Sequence, residues 1–262
     1  MSSPTSPSPG FSLAGKVVLL TGGAGLFGRG LAAKIAEAGA TLVLAARNVD
    51  ALERVAIEER ALGHTVHAQA LDQAEEASIL RLRDYLIAEF GRVDGLVNNA
   101  VARPMKNADA PLADWEASMK TNATGLFAIT RAVGDAMAAQ GGGSIVNIGS
   151  IQGMVGPDYS LYEGLNMHAI PDYFFHKAGM VNLSRYFAAL YGPRGVRVNC
   201  LSPGGFFSGQ HPTFVERYAK ATFLHRMADE NDLGGPVIFL LGDAARYVTG
   251  VNLPVDGGYT AH

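Results

Sequence analysis

Short runs of apolar residues alternate along the chain with longer stretches in which apolar residues recur every three or four positions. The short runs are typical of buried strands, and the longer stretches are typical of helices with one buried face. The predicted strands are 16–21, 41–46, 65–71, 95–97, 144–148, 197–201 and 251–255. The predicted helices are 26–38, 49–62, 75–90, 112–139, 171–191 and 233–242. This alternation predicts an α/β fold in which a doubly wound parallel sheet carries helices on both faces.

The first predicted strand runs into a glycine-rich turn, Gly22-Gly23-Ala24-Gly25-Leu26-Phe27-Gly28, and a helical pattern follows. Glycines let the backbone approach a pyrophosphate, and a helix N-terminus offers unpaired N–H groups and a favourable dipole. The spacing Gly23-x-Gly25-x-x-Gly28 matches the generic dinucleotide fingerprint and has the strand-turn-helix context that the fingerprint requires. The sequence therefore predicts a Rossmann-type domain that binds a dinucleotide. A glycine-rich turn that binds nothing is the alternative.

The domain is predicted to be single and to span residues 12–262, after a Ser- and Pro-rich N-terminal tail, residues 1–11, that is expected to be flexible. Two segments, 151–171 and 203–231, lack a regular pattern. Segments of this length in a compact domain are usually functional, so both are expected to lie beside a substrate.

Composition and charge mainly exclude classes of binding partner. A net charge of −3 and a pI of about 6.2 give no reason to expect binding to nucleic acid or to an anionic membrane. No segment has the apolar length needed to span a bilayer, and the tail lacks the apolar core of a signal peptide. The one cysteine, Cys200, cannot form an internal disulfide, so that a cytoplasmic location is the simplest interpretation.

Tyr173 and Lys177 are the most informative pair of residues in the chain. They are four positions apart in a predicted helix and therefore share one face. A free phenol keeps its proton to about pH 10, and a cation a few ångströms away favours the phenolate, which suits acid–base chemistry near neutrality.

With its other motifs, the chain resembles the short-chain dehydrogenase/reductase family over its whole length after the tail. The matching motifs occur in the family's order: Thr21-Gly22 with the glycine turn, Asp72 after the third strand, Asn98-Asn99-Ala100 after the fourth, Asn122-Ala-Thr-Gly125 in the long helix, Asn147-Ile-Gly-Ser150 after the fifth strand, Tyr173-x-x-x-Lys177, Ser202-Pro203-Gly204 after the sixth, and Asp256-Gly257-Gly258 near the end.

The resemblance implies an NAD(P)-dependent oxidoreductase that interconverts a secondary alcohol and a ketone. Tyr173 would be the general acid/base, and Lys177 would favour the phenolate and hydrogen-bond the nicotinamide ribose. Ser150 would hold the reacting oxygen, and Asn122 would anchor a water that links Lys177 to solvent. The family's long helices commonly pair across a two-fold axis, so a homodimer or homotetramer is expected. Phe174, Val181 and Phe187 are apolar on more than one face of helix 171–191 and favour this pairing.

The resemblance also assigns the cofactor site. Arg47, after the second strand, stands where an acidic residue would select NAD, and its planar guanidinium can pair with a 2′-phosphate. NADP(H) is therefore favoured and NAD(H) remains possible, Arg47 then being an exposed strand-end residue. No metal is expected. The predicted cofactor-binding residues are Gly22, Gly23, Gly25, Leu26, Phe27, Gly28, Arg47, Asp72, Asn99, Ala100, Tyr173, Lys177, Pro203 and Gly204.

Polar side chains around the two irregular segments suit a polyhydroxylated or acidic small molecule. The segments 157–166 and 202–206 also resemble a subgroup linked to sugars and sugar acids. The predicted substrate-binding residues are Arg103, Ser150, Gln152, Tyr159, Tyr162, Asn166, His168 and His211. An ordinary solvated loop is the alternative for any single one of them.

The chain departs from the family's usual pattern at three points. Leu26 stands where the family usually has a glycine of the turn. The resulting motif resembles that of nucleotide-sugar epimerases and dehydratases. His176 precedes the lysine, where Ser or Ala is common. Ser150 and Tyr173 are 23 positions apart, further than is usual, so extra residues lie beside the predicted pocket. An epimerase or dehydratase with retained NAD, and a non-catalytic dinucleotide sensor on the same fold, are the alternative functions.

Overall fold

Seven parallel strands form one sheet at the centre of the domain. The computed structural model describes residues 9–261. The strands are β1 (Val17–Thr21), β2 (Thr41–Ala46), β3 (Val66–Ala70), β4 (Gly95–Asn98), β5 (Gly143–Ile148), β6 (Val196–Pro203) and β7 (Asn252–Val255). Their order in the sheet is β3-β2-β1-β4-β5-β6-β7. The chain thus winds outward from β1 in one direction and from β4 in the other, which leaves a crevice beyond the carboxyl ends of these two strands.

The central strands are buried on both faces, as their unbroken apolar runs predict. In β1, Val18 and Leu20 pack into one apolar cluster, whereas Val17 and Leu19 pack into another on the opposite face. Helices cover both faces. They are α1 (Leu26–Glu37), α2 (Val49–Ala61), α3 (Glu76–Phe90), α4 (Leu112–Met119), α5 (Leu126–Ala139), α6 (Pro171–Tyr191), α7 (Pro212–Lys220) and α8 (Gly234–Leu241).

Two of these helices differ from the sequence prediction. The stretch 112–139 is not one continuous α-helix, because a π-helical segment, Lys120–Gly125, separates α4 from α5. Gly125 lies within this segment, and a Cβ atom there would be 2.1 Å from the Gln73 carbonyl oxygen, so the segment packs directly on the β3–α3 loop. α7 lies inside segment 203–231, which was predicted to be irregular throughout.

The two irregular segments pack together at the carboxyl edge of the sheet. Ile151 and Leu161 from the first segment form a small apolar cluster with Phe214, Tyr218 and Met227 from the second. Segment 151–171 contains two 3-10 turns, Ile151–Gly153 and Tyr159–Leu161, each capped by the side chain of the residue before it. The two segments therefore form a cap beside the crevice.

Residues 1–8 of the predicted tail lie outside the described residues. Its last part, Pro9–Phe11, forms a 3-10 turn, and the centre of the Phe11 ring lies 6.2 Å from that of Phe239. No helix within residues 9–261 is long and apolar enough to cross a membrane.

The apolar residues from which pairing of helices was predicted are largely buried within the subunit. Val181 and Phe187 belong to its core, and Phe174 lines the substrate-side cavity described below. Other large apolar side chains on the same helices are exposed, including Phe127 of α5 and Phe175, Tyr186 and Leu190 of α6. These are the residues with which a pairing surface would be built.

Candidate active site

The glycine turn after β1 brings backbone segments together where no side chain would fit. Gly22 has a φ of +69°, and a Cβ atom there would lie 2.9 Å from Ala100 Cα. A Cβ atom on Gly28 would lie 2.0 Å from the Gly22 carbonyl oxygen, so α1 can begin this close to the turn only with glycine. α1 begins directly after Gly25. The turn and the helix N-terminus thus form a cradle suited to a pyrophosphate.

A crevice of about 540 Å³ opens in front of this cradle. It lies beyond β1 and β4, where open α/β sheets bind their ligands. The predicted cofactor residues that line it are Gly22, Gly25, Leu26, Phe27, Arg47, Asp72, Asn99, Ala100, Tyr173 and Lys177. The structure therefore gathers most of the predicted cofactor set in one place.

The other four predicted cofactor residues do not line the crevice. Gly23 packs against β2, since a Cβ atom there would lie 2.7 Å from Leu44 Cδ2, and Gly28 lies beneath the turn. Pro203 is paired with β7, and Gly204 lines the neighbouring cavity. These four lie beneath or beside the crevice, and their direct contact with a cofactor stays a prediction.

Thr21 organises the floor of the crevice, and the sequence-based set omitted it. Its hydroxyl accepts hydrogen bonds from the Asn99 and Ala100 N–H groups, each at 3.0 Å. The Asn99 side chain donates to the Thr21 and Gly22 carbonyl oxygens, each at 3.1 Å. These bonds join the end of β1 to the end of β4 and fix the glycine turn over the sheet.

Arg47 lies at the far end of the crevice, directly after β2. Its side chain is exposed, and within residues 9–261 it makes no ion pair and no hydrogen bond. The neighbouring Asn48 instead caps α2 by accepting from Ala51 N–H at 3.0 Å, and Asp72 accepts from Ala74 N–H at 3.0 Å. Arg47 is thus a cation without a protein partner, beside side chains that are already engaged.

Tyr173 and Lys177 face the inner end of the crevice from the first turns of α6. Lys177 Nζ lies 5.4 Å from the centre of the Tyr173 ring and donates to the Ile148 carbonyl oxygen at 2.5 Å. Lys177 is only 3% exposed. Burial lowers the pKa of its ammonium, and the nearby phenol opposes that effect. The tight carbonyl contact holds the ammonium beside the phenol.

Ser150 follows β5 and faces the same region. It is buried, and its Oγ accepts a hydrogen bond from Gln152 N–H at 3.1 Å. This bond closes the N-terminus of the 3-10 turn Ile151–Gly153. Ser150 and Tyr173 both line a second cavity that adjoins the crevice. The predicted serine and tyrosine are therefore brought together around one space.

Asn122 lies in the π-helical segment, and its amide is fully engaged. Its Oδ1 accepts from Ala102 N–H at 2.8 Å, and its Nδ2 donates to the Ala102 carbonyl oxygen at 2.8 Å and to Ser118 Oγ at 2.9 Å. The side chain thus holds the loop after β4. Its predicted role as the anchor of a water stays a prediction.

Two further cationic or basic side chains surround Tyr173. The Arg103 guanidinium carbon lies 4.9 Å from the centre of the Tyr173 ring. The His176 ring meets the Tyr173 ring edge-on at 5.2 Å, and neither of its nitrogens has a hydrogen-bond partner within residues 9–261. Burial, with the nearby charges of Lys177 and Arg103, lowers the pKa of His176 to about 3. His176 is therefore a neutral, buried contact of Tyr173.

The second cavity has a volume of about 400 Å³ and lies between the cap and the carboxyl edge of the sheet. The predicted substrate residues Arg103, Ser150, Gln152, Tyr162 and His168 line it. It also contains Asp172, Lys106, Asp158, Phe206, Gln210, Tyr218 and Tyr259, which the substrate-binding prediction did not include. Most of these lie in segments without periodicity, and no sequence signal indicated the direction of their side chains.

Three predicted substrate residues do not line the cavity. His211 accepts from Thr213 N–H at 3.2 Å and caps α7 instead. Tyr159 is 69% exposed and its ring packs 6.5 Å from Tyr162 on the outer side of the cap. Asn166 is exposed near the end of the same segment. These three residues lie outside the cavity lining, and their contact with a substrate stays a prediction.

A dinucleotide cradle, a buried lysine against a tyrosine and an adjoining cavity define a nucleotide-dependent oxidoreductase site. The family model that matches residues 24–260 is described as enoyl-(acyl carrier protein) reductase. D-threitol dehydrogenase from Mycolicibacterium smegmatis is 35% identical over 95% of this chain and 95% of its own. The chain belongs to the short-chain dehydrogenase/reductase family, as the sequence resemblance predicted.

Solved structures of similar proteins hold nicotinamide cofactors. A gluconate 5-dehydrogenase from Burkholderia cenocepacia, in complex with NADP and tartrate, is 31% identical, with a TM-score of 0.88 over 97% of this chain and 98% of that chain. A 7α-hydroxysteroid dehydrogenase, complexed with NADH and 7-oxo glycochenodeoxycholic acid, is 30% identical, with a TM-score of 0.85 over 95% and 96% of the two chains. The cradle described above fits such a cofactor.

Proposed function

We propose that this protein interconverts a secondary alcohol and a ketone on a small polyhydroxylated substrate that carries a carboxylate, with a preference for NADP(H). The observation that supports this most directly is the position of Arg103. Its guanidinium lies over Tyr173 and lines both cavities, and among residues 9–261 no acidic side chain pairs with it. A planar guanidinium beside the reacting centre suits a substrate carboxylate.

The bound cofactor would supply or accept the hydride. In the direction of alcohol oxidation, Tyr173 would accept the proton of the substrate hydroxyl, and in the direction of reduction it would return a proton to the carbonyl oxygen. Lys177 would favour the phenolate through its charge and bind the nicotinamide ribose. Ser150 would hold the reacting oxygen towards Tyr173.

Polar groups beyond the reacting centre favour a substrate with several hydroxyl groups. Gln152, Tyr162 and His168 line the cavity from the cap, and Gln210 lines it from the opposite segment. The named relatives include enzymes of D-threitol and gluconate, which agrees with a polyol or sugar acid. Threonate and gluconate combine such hydroxyl groups with the carboxylate that Arg103 would bind.

The preference for NADP(H) is supported by Arg47. An exposed arginine without a protein partner at the end of β2 can pair with a 2′-phosphate without breaking an existing contact. The crevice offers no acidic residue at the end of β2 that would accept hydrogen bonds from unmodified ribose hydroxyls. The assembly into dimers or tetramers and the cytoplasmic location stay predictions.

The proposal is tested by matched substrates. The purified protein is assayed with NADP⁺ and with NAD⁺ on threonate and gluconate, on their neutral counterparts D-threitol and D-glucitol, and on a hydroxysteroid, by absorbance of the reduced nicotinamide. We expect the acids to have the highest kcat/KM. Tyr173→Phe should reduce kcat by about 10²-fold or more while cofactor binding stays normal.

Three outcomes would contradict the proposal. A hydroxysteroid turned over faster than every acid and polyol would exclude the substrate class. Turnover of none of them, with tight retention of NAD after purification, would favour the epimerase or dehydratase alternative, and cofactor binding without any turnover would favour the sensor.

A further inference from the structure

Asp172 is a buried carboxylate next to the catalytic tyrosine, and the chemistry proposed above does not use it. It is 2% exposed and lies in the first turn of α6. Its Oδ2 accepts from Ser118 Oγ at 2.5 Å, and its Oδ1 has no hydrogen-bond partner within residues 9–261. The N-terminus of α6 and the Ser118 hydroxyl are the groups that stabilise this negative charge. A buried carboxylate is costly to keep, so a function for it is worth seeking.

The hydrogen bond from Ser118 is the first link of a longer chain. The hydroxyl that donates to Asp172 also accepts from Asn122 Nδ2, and Asn122 is bonded twice to the backbone of Ala102. Ser118 and Asn122 are both buried. The carboxylate therefore supports the orientation of the Asn122 amide. The Ser118 hydroxyl donates its hydrogen to Asp172 and can only accept from Asn122, and the same amide orientation pairs with both backbone groups of Ala102.

These links close into a ring around the reacting centre. Ala102 is followed in the chain by Arg103, whose guanidinium lies over the Tyr173 ring, and Tyr173 is preceded in the chain by Asp172. Three separate segments meet in this ring: the loop after β4, the α4–π-segment region, and the first turn of α6. We call the hydrogen-bonded part of the ring, Asp172–Ser118–Asn122–Ala102, the Asp172 tie.

We propose that Asp172 is a positioning residue that acts through Ser118 and Asn122 to hold Arg103 over Tyr173. Opening the tie frees the loop after β4, and Arg103, which forms no ion pair with any of the described residues, then loses its fixed place beside the substrate carboxylate. The inference rests on the proposed function, because it assigns to Arg103 the recognition of that carboxylate. It adds that the recognition depends on a side chain in α6 and another in α4.

A double-mutant cycle tests whether the tie acts through Arg103. Ser118→Ala, Arg103→Ala and the combined variant are compared with the wild type for kcat/KM on gluconate and D-glucitol. We expect Ser118→Ala to reduce kcat/KM for gluconate about tenfold, mainly through KM, and to change that for D-glucitol by less than about threefold. In the Arg103→Ala background the same substitution should have no further effect beyond about twofold.

Ser184→Ala is the matched control. Ser184 is also a fully buried serine that donates and accepts one hydrogen bond each, but its partners are Met180 and Asn147 in the core. Ser184→Ala should lower thermal stability as Ser118→Ala does. It should leave the ratio of kcat/KM for gluconate to kcat/KM for D-glucitol unchanged. Equal effects of Ser118→Ala in the presence and absence of Arg103, or an unchanged substrate ratio, would overturn the proposal.

Two further measurements keep the proposal separate from folding and from the proposed function. Should Ser118→Ala not fold, the cycle is repeated with Asp172→Asn, which keeps the shape of the carboxylate and one acceptor oxygen; the same non-additivity is then expected with a smaller effect. The same double-mutant cycle is also measured without turnover, from the affinity of each NADP⁺-loaded variant for tartrate, determined by calorimetry. Non-additive tartrate binding in an inactive protein would support the tie and refute the proposed function, whereas absence of both tartrate binding and turnover would overturn both.

Discussion

Replacement of His176 by leucine should make the protein less sensitive to mild acid. His176 is 3% exposed, neither ring nitrogen has a partner among the described residues, and its pKa is lowered to about 3 from an unfolded value of 6.5. Between these two pH values the unfolded chain binds a proton that the folded protein does not, so stability falls as the pH drops below 6.5. At pH 5 this group alone removes about 2 kcal/mol, since each pH unit below 6.5 costs about 1.4 kcal/mol.

The assay is urea-induced unfolding of the wild type and His176→Leu at pH 7 and pH 5. Between these two pH values the wild type should lose about 2 kcal/mol more than the variant, with the m-value unchanged. His168→Gln, at an exposed position of the cap, is the control and should lose as much as the wild type. Equal losses in the wild type and His176→Leu would refute the reasoning and would mean that the imidazole finds a partner when protonated.

Three other results follow from the structure. Arg47→Asp should raise KM for NADP⁺ about 30- to 150-fold and lower that for NAD⁺, since an exposed pair of charge-assisted hydrogen bonds contributes about 2 to 3 kcal/mol; unchanged ratios in steady-state kinetics would contradict the assignment. Tyr162→Phe should raise substrate KM about 3- to 10-fold, the value of one hydrogen bond, whereas Tyr159→Phe on the outer side of the cap should have no effect. Light scattering should show a dimer or tetramer at micromolar concentration, and Phe175→Lys, which charges the exposed face of α6, should shift it towards monomer; a wild type found only as monomer would refute the pairing.

The central strands could be predicted from the sequence because they are buried on both faces, and most helices could be predicted because they have one buried face. A strand such as β1 is apolar at every position but the last, and no amphipathic helix gives that pattern. The π-helical segment has no corresponding pattern in the sequence. Residues 112–139 have good helical periodicity, and nothing in it marks the position where the π-helical segment brings Gly125 against the backbone of Gln73.

The proposed catalytic and cofactor-binding residues could be recognised because fixed spacings bring them together. Tyr173 and Lys177 share a helix face, and the glycines of the turn are required by the close approach of two backbone segments. Asp172 has no such rule, because its partner Ser118 is 54 positions away, on another helix. The side chains of the cap were predicted from residue type alone, and turn geometry then separated Tyr162, which lines the cavity, from Tyr159, which does not.

The π-helical segment is a place where the stability of the fold and the geometry of the site have opposite requirements. A π-helical turn contains one residue more than an α-helical one, so deleting a single residue between 120 and 125 would let α4 and α5 join as a regular helix with their buried faces still aligned. Such a deletion should be tolerated by the core and could increase the melting temperature. It would also rotate Asn122 away from Ala102 and so disconnect the loop that carries Arg103. The segment is in this sense a stability–activity trade-off carried by one inserted residue, and natural variants that lack it should be folded but poor catalysts.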